Sequence, residues 1–342
     1  MPGEIWCVLK VPEQSGLIPP YRTPEGPPLT PVSKGQRNEG FSFPLVRFAA
    51  DWRVLSDTRF QLVRLNNGIC SVRSLVDEET FHPVVGPVAE AQALYVNQLQ
   101  LRQRLLRHAG EFVIWDVGLG AAANTLTVLK ATRDIPCRLR ILSFDRTGEP
   151  LEFALTNARD LGYFGGYEDR VRDFLGARRV AFEDGPQTVN WEFHHGDFPS
   201  LVSAQVAAAK AQRWPAPHAV LFDAYSPARN PVMWTLPLFS NLFGLLDSQR
   251  PCALSTYSRS TILRVTLLLA GFYVGAGHAT GEKEETTIAS NDPAMIVEPL
   301  GPRWLERAAR SHSAEPMTDP VYRTEPLSDS SMARLRAHPQ FA

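Results

Sequence analysis

Apolar and polar positions change character three times along the chain. Over residues 1–44 no periodicity is sustained, and Pro and Gly recur, as in Ile18-Pro19-Pro20 and Gly26-Pro27-Pro28. Such a segment buries too little surface to offset the cost of ordering it, so a flexible tail is expected. From Phe60 the pattern becomes Phe-Gln-Leu-Val-Arg-Leu, then Asn66-Asn67-Gly68, then Ile-Cys-Ser-Val. Asn-Gly tolerates the positive φ of a tight turn, which predicts a β-hairpin. Residues 88–108 then place Val88, Ala91, Leu94, Tyr95, Leu101 and Leu105 at helical spacing, with Arg102, Arg104 and Arg107 towards the carboxyl end where cations suit the helix dipole. One helix is predicted, and with the hairpin it forms a small N-terminal appendage over residues 45–110.

Between residues 111 and 298 short apolar runs alternate with helical stretches, the signature of a parallel sheet covered on both faces by helices. Strands are predicted at 112–117, 140–144, 188–194, 219–222, 252–256, 273–276 and 286–289. The last two are separated by a polar loop too short for a crossover helix, so they should pair as an antiparallel hairpin. The fold class is therefore α/β, doubly wound, with a terminal antiparallel hairpin. In residues 299–342 Pro, Ser and Arg increase again, and one helix near 304–310 followed by a loosely held tail is expected.

Composition narrows the classes. The chain has 342 residues, 44% of them hydrophobic, enough for one sizeable α/β domain and an appendage. With 35 basic and 36 acidic residues there is no overall field to recruit nucleic acid or an anionic membrane, so any such contact requires a local patch. The candidate patch is Arg102, Arg104 and Arg107 with Arg170, Arg172, Arg178 and Arg179. Cys7, Cys70, Cys137 and Cys252 are widely separated with no CxxC pair, which argues against a disulfide framework and a zinc site. No apolar run reaches the length of a membrane span and the N-terminus lacks a signal-peptide pattern, so a cytoplasmic protein is expected.

The chemistry concentrates at the ends of the predicted strands. Strand 112–117 runs through Asp116 into Gly118-Leu119-Gly120-Ala121-Ala122-Ala123-Asn124, a strand-to-helix turn where a ligand can approach backbone N–H groups unobstructed. The spacing also satisfies the GxGxxG/A pattern of dinucleotide sites, with Ala123 last. The next strand ends in Ser143-Phe144-Asp145-Arg146, which places Asp145 at the sheet edge about two dozen residues on, where an acidic group accepts both ribose hydroxyls. Asp197 and Phe198 close the following strand, suited to an adenine amino group and ring. The neighbouring His194 and His195 should point to opposite faces with no third ligand, so no metal is expected.

The segment Asp223-Ala-Tyr225-Ser-Pro-Ala-Arg229-Asn-Pro-Val-Met-Trp234 brings a carboxylate and an aromatic to the same edge. A carboxylate accepting a hydrogen from an amine orients its lone pair, and an aromatic face favours nearby positive charge. Asp223 and Tyr225 are thus the candidate catalytic pair.

These motifs together resemble the methyltransferase domain of the MnmC family, which acts in tRNA 5-methylaminomethyl-2-thiouridine synthesis. The likeness spans about residues 67–290. It rests on Gly118-Leu-Gly-Ala-Ala-Ala-Asn124, on Ser143-Phe-Asp-Arg146, on residues 223–235 and on Gly86-Pro-Val-Ala-Glu90 followed by Leu94-Tyr95-Val96. It implies a Rossmann-like class I fold and S-adenosyl-L-methionine as cofactor, held by Glu90, Asp116, Gly118, Gly120, Asn124, Asp145, Arg146, Asp197 and Phe198. It also implies tRNA as acceptor, with methylation of a wobble aminomethyl group. Ala122 stands where the family has a glycine, and Gly281-Glu-Lys-Glu-Glu285 where it has a basic run. No flavin-binding oxidase segment follows, so the single-function form is expected. Three other readings stay open: a methyl- or aminopropyltransferase for a free small amine, an NAD-dependent oxidoreductase, and a non-catalytic S-adenosylmethionine-binding protein.

Overall fold

Alternate residues of the central strands feed two separate apolar clusters, which is why those strands read as nearly continuous hydrophobic runs. A computed structural model of the chain describes residues 59–281 and 284–341; the Pro-rich segment 1–44 and the first part of the appendage lie outside them. Strands β1 (Phe60–Arg64) and β2 (Cys70–Ser74) form the expected antiparallel hairpin, with Gly68 at φ 82° in its turn. A second sheet contains β3 (Glu111–Val117), β4 (Arg138–Asp145), β5 (Arg179–Asp184), β6 (Gln187–His195), β7 (Ala219–Phe222), β8 (Ala253–Thr256), β9 (Tyr273–Gly277) and β10 (Thr286–Ser290). Its order is β5-β6-β4-β3-β7-β8-β10-β9. Strands β6, β4, β3, β7 and β8 are mutually parallel, and β10 runs antiparallel between β8 and β9. This is the Rossmann-like arrangement of class I methyltransferases, with the terminal antiparallel hairpin where the short loop requires it.

In β3, Phe112 and Ile114 face one cluster while Val113, Trp115 and Val117 face the other. The first cluster is covered by helices Ala123–Thr132, Glu149–Thr156 and Glu168–Ala177; the second by Phe198–Ala207, Leu236–Gly244 and Thr261–Leu269. With both faces closed, the strand ends are where polar side chains can gather.

Three expectations change. Strand β5 was not expected: its burial alternates (exposed, intermediate, exposed, buried, exposed, buried), the weak pattern of an edge strand, and it pairs antiparallel with β6 through the turn at Gly185-Pro186. The single helix over 88–108 is instead Pro87–Ala91, a π-helical stretch Gln92–Asn97 and Leu101–Arg107, broken at Gln100 with φ 51°. The last segment is docked rather than loosely held. It forms helices Pro302–Ala309 and Asp329–Arg336, buries Trp304 and Leu335, and ties Gln340 to both the N–H and the carbonyl of Val274.

The helix break has a purpose in packing. It turns Gln98 inward, where Nε2 donates to Ser255 Oγ at 2.8 Å and to the Thr287 carbonyl at 3.3 Å, and Oε1 accepts from His278 N and Thr286 Oγ1. One amide thereby joins the appendage to β8, to β10 and to His278, the residue that follows β9. Replacing Gln98 by Leu keeps the volume but strands these buried partners, each at about 1–3 kcal/mol. The Gln98→Leu protein should lose about 2–4 kcal/mol of unfolding free energy by denaturant titration; an unchanged midpoint would show that the amide does not join them.

Candidate active site

The carboxyl ends of β3, β4, β6 and β7 open into a cavity of about 520 Å³, within the usual range for a small-molecule site. The glycine turn after β3 forms its floor. Gly118 has φ 90°, and a Cβ there would collide with the backbone carbonyl of Asp223. The requirement for glycine at 118 is thus set by the adjacent β7 loop, not by a ligand as the motif alone suggests. Gly120, at φ 48°, faces only the Phe81 ring edge at 3.3 Å, a side chain that can yield. Ala122 occupies the left-handed region at φ 57°, where a glycine would be unstrained.

From helix Ala123–Thr132, Asn124 donates through Nδ2 to Asp223 Oδ2 at 2.7 Å. The backbone N–H of Asp223 in turn donates to the Val117 carbonyl at 2.9 Å, so the residue is held through both its main chain and its side chain. Two residues on, Tyr225 packs its ring 5.8 Å from that of Phe81, and its carbonyl accepts from Trp234 Nε1 at 2.7 Å. Burial, then the charge of Asp77, pushes the Tyr225 phenol well up, so it stays neutral.

Gly118, Gly120, Asn124, Asp145, Arg146, Asp197, Phe198, Asp223, Tyr225 and, from the appendage, Glu90 all line this one cavity. Asp145 accepts from the N–H groups of Gly120 at 3.0 Å and Thr147 at 3.4 Å; burial raises its pKa while these bonds oppose the rise. Asp197 caps helix Phe198–Ala207, its Oδ2 accepting from Ser200 N and Oγ, and Phe198 packs edge-on to Phe144. Asp116, expected beside a cofactor, does not reach the cavity. It lies beneath the glycine turn, 1% exposed, with Oδ2 accepting from Thr125 Oγ1 and Ser143 Oγ at 2.8 and 2.7 Å. Burial lifts its pKa to about 7 against the pull of those two hydroxyls.

The wall opposite the sheet comes from the segment after β2, which sequence reasoning left unassigned. Glu79 accepts from both the N–H and the hydroxyl of Ser226, and Arg229 Nη2 donates to Glu78 Oε2 at 2.6 Å. The Asp223–Asn230 loop is thereby clamped to the appendage. Next to them His82 lies between two carboxylates, Nδ1 3.4 Å from Glu90 Oε1 and Nε2 3.6 Å from Asp223 Oδ2. Among the described residues, this trio is the group whose ligand atoms, all within 4.8 Å of one another, resemble a metal cluster. The acidic run Asp77-Glu78-Glu79 was the available signal, but local sequence does not reveal that it meets the β7 loop.

The other candidates separate. His194 stacks on Phe144 at 5.2 Å, whereas the exposed His195 lies near Phe193, consistent with alternation along β6. Arg104 is not available to phosphate: it donates to the carbonyls of His218, Leu99 and Pro251, and burial lowers its pKa. Arg102 grips Asp134 through two bonds at 2.6 and 2.8 Å, and Arg172 pairs with Asp169. Arg107, Arg170, Arg178 and Arg179 are exposed, with Arg170 over the Phe182 ring.

An S-adenosyl group fits this donor set. Asp145 and the glycine turn offer the ribose and backbone-facing edge, while Asn124 Oδ1 is buried without a protein partner on the cavity wall, suited to a ligand ammonium. Residues 178–292 match the model of a family described as S-adenosyl-L-methionine-dependent methyltransferase. The chain is 28% identical over 247 residues to the tRNA 5-methylaminomethyl-2-thiouridine biosynthesis bifunctional protein MnmC of Cupriavidus metallidurans, covering 68% of this chain and 35% of that protein. It is 26% identical over 239 residues to the protein of the same name from Aeromonas hydrophila, covering 66% and 34%. The chain thus spans about a third of the length of these curated relatives. The crystal structure of MNMC2 from Aquifex aeolicus is similar in fold, with a TM-score of 0.59 and 22% identity over 82% of this chain and 85% of that one.

Two outcomes follow from the floor of the cavity. Gly118→Ala should destabilise by more than about 1 kcal/mol, since both φ and the Asp223 carbonyl oppose it, while Gly120→Ala should cost less. Equal denaturation midpoints for the two variants would contradict this. Asp116 ionises near 3.9 unfolded but near 7 when folded, so its contribution to stability is complete below pH 4 and is lost as pH rises through 7. Asp116→Asn should therefore flatten stability between pH 4 and 7, by up to about 4 kcal/mol at about 1.36 kcal/mol per pKa unit. The check is denaturation of both proteins at pH 5 and pH 8; parallel losses would exclude the linkage.

Proposed function

We propose that this chain, an S-adenosylmethionine-dependent methyltransferase, methylates a primary amine, and that the amine is the aminomethyl group of a wobble 5-aminomethyl-2-thiouridine in tRNA. The observation that carries the reading is the direct contact between the glycine turn and Asp223, with Asn124 fixing the carboxylate. A cofactor lying along Gly118, Gly120 and Asp145 would be adjacent to a group able to orient an amine. Arg146, Asp197 and Phe198 would complete its adenosine end, and Glu90 and Asn124 its amino-acid end. S-adenosylmethionine supplies an electrophilic methyl group on a sulfonium.

The chain's own residues supply alignment. An alkylamine is largely protonated near neutral pH and has no lone pair to attack with, so its proton must be accepted while the nitrogen is held in line. Asp223 attracts the ammonium, which by itself opposes deprotonation, so its benefit lies in orientation and in stabilising the charge that develops on nitrogen. Tyr225, neutral and half-buried, presents an aromatic face to the two cations. The names of the relatives support tRNA as acceptor, with Arg107, Arg170, Arg178 and Arg179 as candidate phosphate contacts. A free small amine is the second reading, favoured by the carboxylates Asp77, Glu78 and Glu79 on the cavity wall, which suit a small cation better than a phosphate.

Nucleoside mass spectrometry of tRNA from cells lacking the protein should show 5-aminomethyl-2-thiouridine in place of its methylated form; unchanged tRNA would favour the free amine. In single-turnover transfer with saturating cofactor, Asp223→Asn should slow methylation by about two orders of magnitude, the low end for a positioned acid-base group. Tyr225→Phe should cost little and Tyr225→Ala much more. Normal turnover of Asp223→Asn, or a loss explained by cofactor affinity alone, would refute the assigned role.

A further inference from the structure

We propose that Tyr257 is a positioning residue for the methyl transfer: through its hydroxyl bond to the Ala224 carbonyl it sets the angle between the Asp223 carboxylate and the Tyr225 ring. This rests on the reading that Asp223 and Tyr225 face the acceptor amine. The sheet register is what brings Tyr257 to them. Strand β7 pairs with β3 as Val117↔Phe222 and with β8 as Leu221↔Ser255, both parallel. Continued by one residue on the first side and by two on the second, these registers set Gly118, Asp223 and Tyr257 in one row across three neighbouring strand ends. All three line the cavity.

Each peptide plane of the loop from Phe222 to Ser226 is held by a different partner. The Asp223 N–H donates to the Val117 carbonyl, and the Asp223 carbonyl lies so close to Gly118 that a Cβ there would collide with it. The Tyr225 carbonyl accepts from Trp234 Nε1 at 2.7 Å, and the Ser226 N–H donates to Glu79 Oε2 at 3.2 Å. Between these lies the plane that joins Ala224 to Tyr225, whose carbonyl accepts from Tyr257 Oη at 3.1 Å. Because each peptide is planar, four torsions separate the two catalytic side chains along the backbone. The contact with Gly118 restrains the first two. The bond from Tyr257 restrains the other two, ψ of Ala224 and φ of Tyr225.

The ring that makes this bond is itself fixed. Tyr257 packs against both apolar clusters and stands edge-on to Trp234, with ring centroids 6.2 Å apart. Trp234 in turn packs edge-on to Phe222, so one aromatic pair, seated on β7, grips two successive carbonyls of the loop. The phenol keeps the proton that the bond requires, because burial first and the charge of Asp223 next push it well above the usual range. Loss of the hydroxyl would leave both catalytic side chains present but misaligned. Methyl transfer is sensitive to that, since the nitrogen must attack in line with the methyl–sulfur bond.

The test uses the full chain with saturating S-adenosylmethionine, and takes tRNA carrying 5-aminomethyl-2-thiouridine and putrescine as the two acceptor probes. Tyr257→Phe keeps the ring and removes the donor. It should slow single-turnover methyl transfer about tenfold, the upper end for one neutral hydrogen bond, with cofactor affinity unchanged. A residue that acts through Asp223 has little left to align once the carboxylate is gone. In the Asp223→Asn background, Tyr257→Phe should therefore slow transfer by less than about twofold. Normal turnover of Tyr257→Phe beside a slow Asp223→Asn would overturn the positioning role and leave the amine reading intact. So would a further tenfold loss in the Asp223→Asn background, which would show Tyr257 acting independently, or a loss matched by weaker cofactor binding. A wild type inactive on both probes would overturn the amine reading and this inference with it.

Discussion

The contact between the glycine turn after β3 and the backbone of Asp223 after β7 sets the geometry of everything at the cavity floor. A parallel sheet brings the ends of adjacent strands close together, but the distance between their loops depends on what the side chains allow. At Gly118 nothing larger than hydrogen fits against the Asp223 carbonyl. The turn and the loop therefore meet, Asn124 can reach across to the carboxylate, and the residues suited to a cofactor are adjacent to those suited to an acceptor.

Around that contact the appendage acts as a wall and a clamp. The segment after its hairpin delivers Glu78, Glu79, Phe81 and His82 to the cavity, and Gln98 anchors the residues that follow to the terminal strands. Ion pairs at exposed positions contribute little on their own. The Glu78–Arg229 pair matters through its company: two bonds from Ser226 to Glu79 and the ring contact of Phe81 with Tyr225 hold the same short loop. Positioning of Asp223 and Tyr225 is thus shared between the sheet on one side and the appendage on the other.

Much of this was legible in the sequence because it depends on local pattern. Continuous apolar runs in β3, β4, β7 and β8, and a loop too short to cross over between β9 and β10, determine the sheet apart from its β5 edge. Strand β5 was missed because only one of its faces is buried, and the helix break at Gln100 because the bonds that Gln98 makes beside it go to strands far along the chain. Asp145, Asp197 and Asp223 were legible as residues of the cavity wall because each stands at, or within two residues of, the carboxyl end of a strand. Asp116 was misplaced for the same reason: a strand-end carboxylate looks alike from the sequence whether it rises into the cavity or, held by Thr125 and Ser143, stays below it. His82 left no local signal at all, since its meaning comes only from Glu90 and Asp223 on either side.

The central claim is that Asp223 faces the point where the methyl group is transferred. Sinefungin, an S-adenosylmethionine analogue with an amine in place of the methylsulfonium, tests this without any acceptor. By calorimetry it should bind the wild-type protein about tenfold more tightly than S-adenosylhomocysteine, a difference of about 1.4 kcal/mol, and Asp223→Asn should abolish the difference. Equal affinities in the wild type, or a preference that survives Asp223→Asn, would contradict the account.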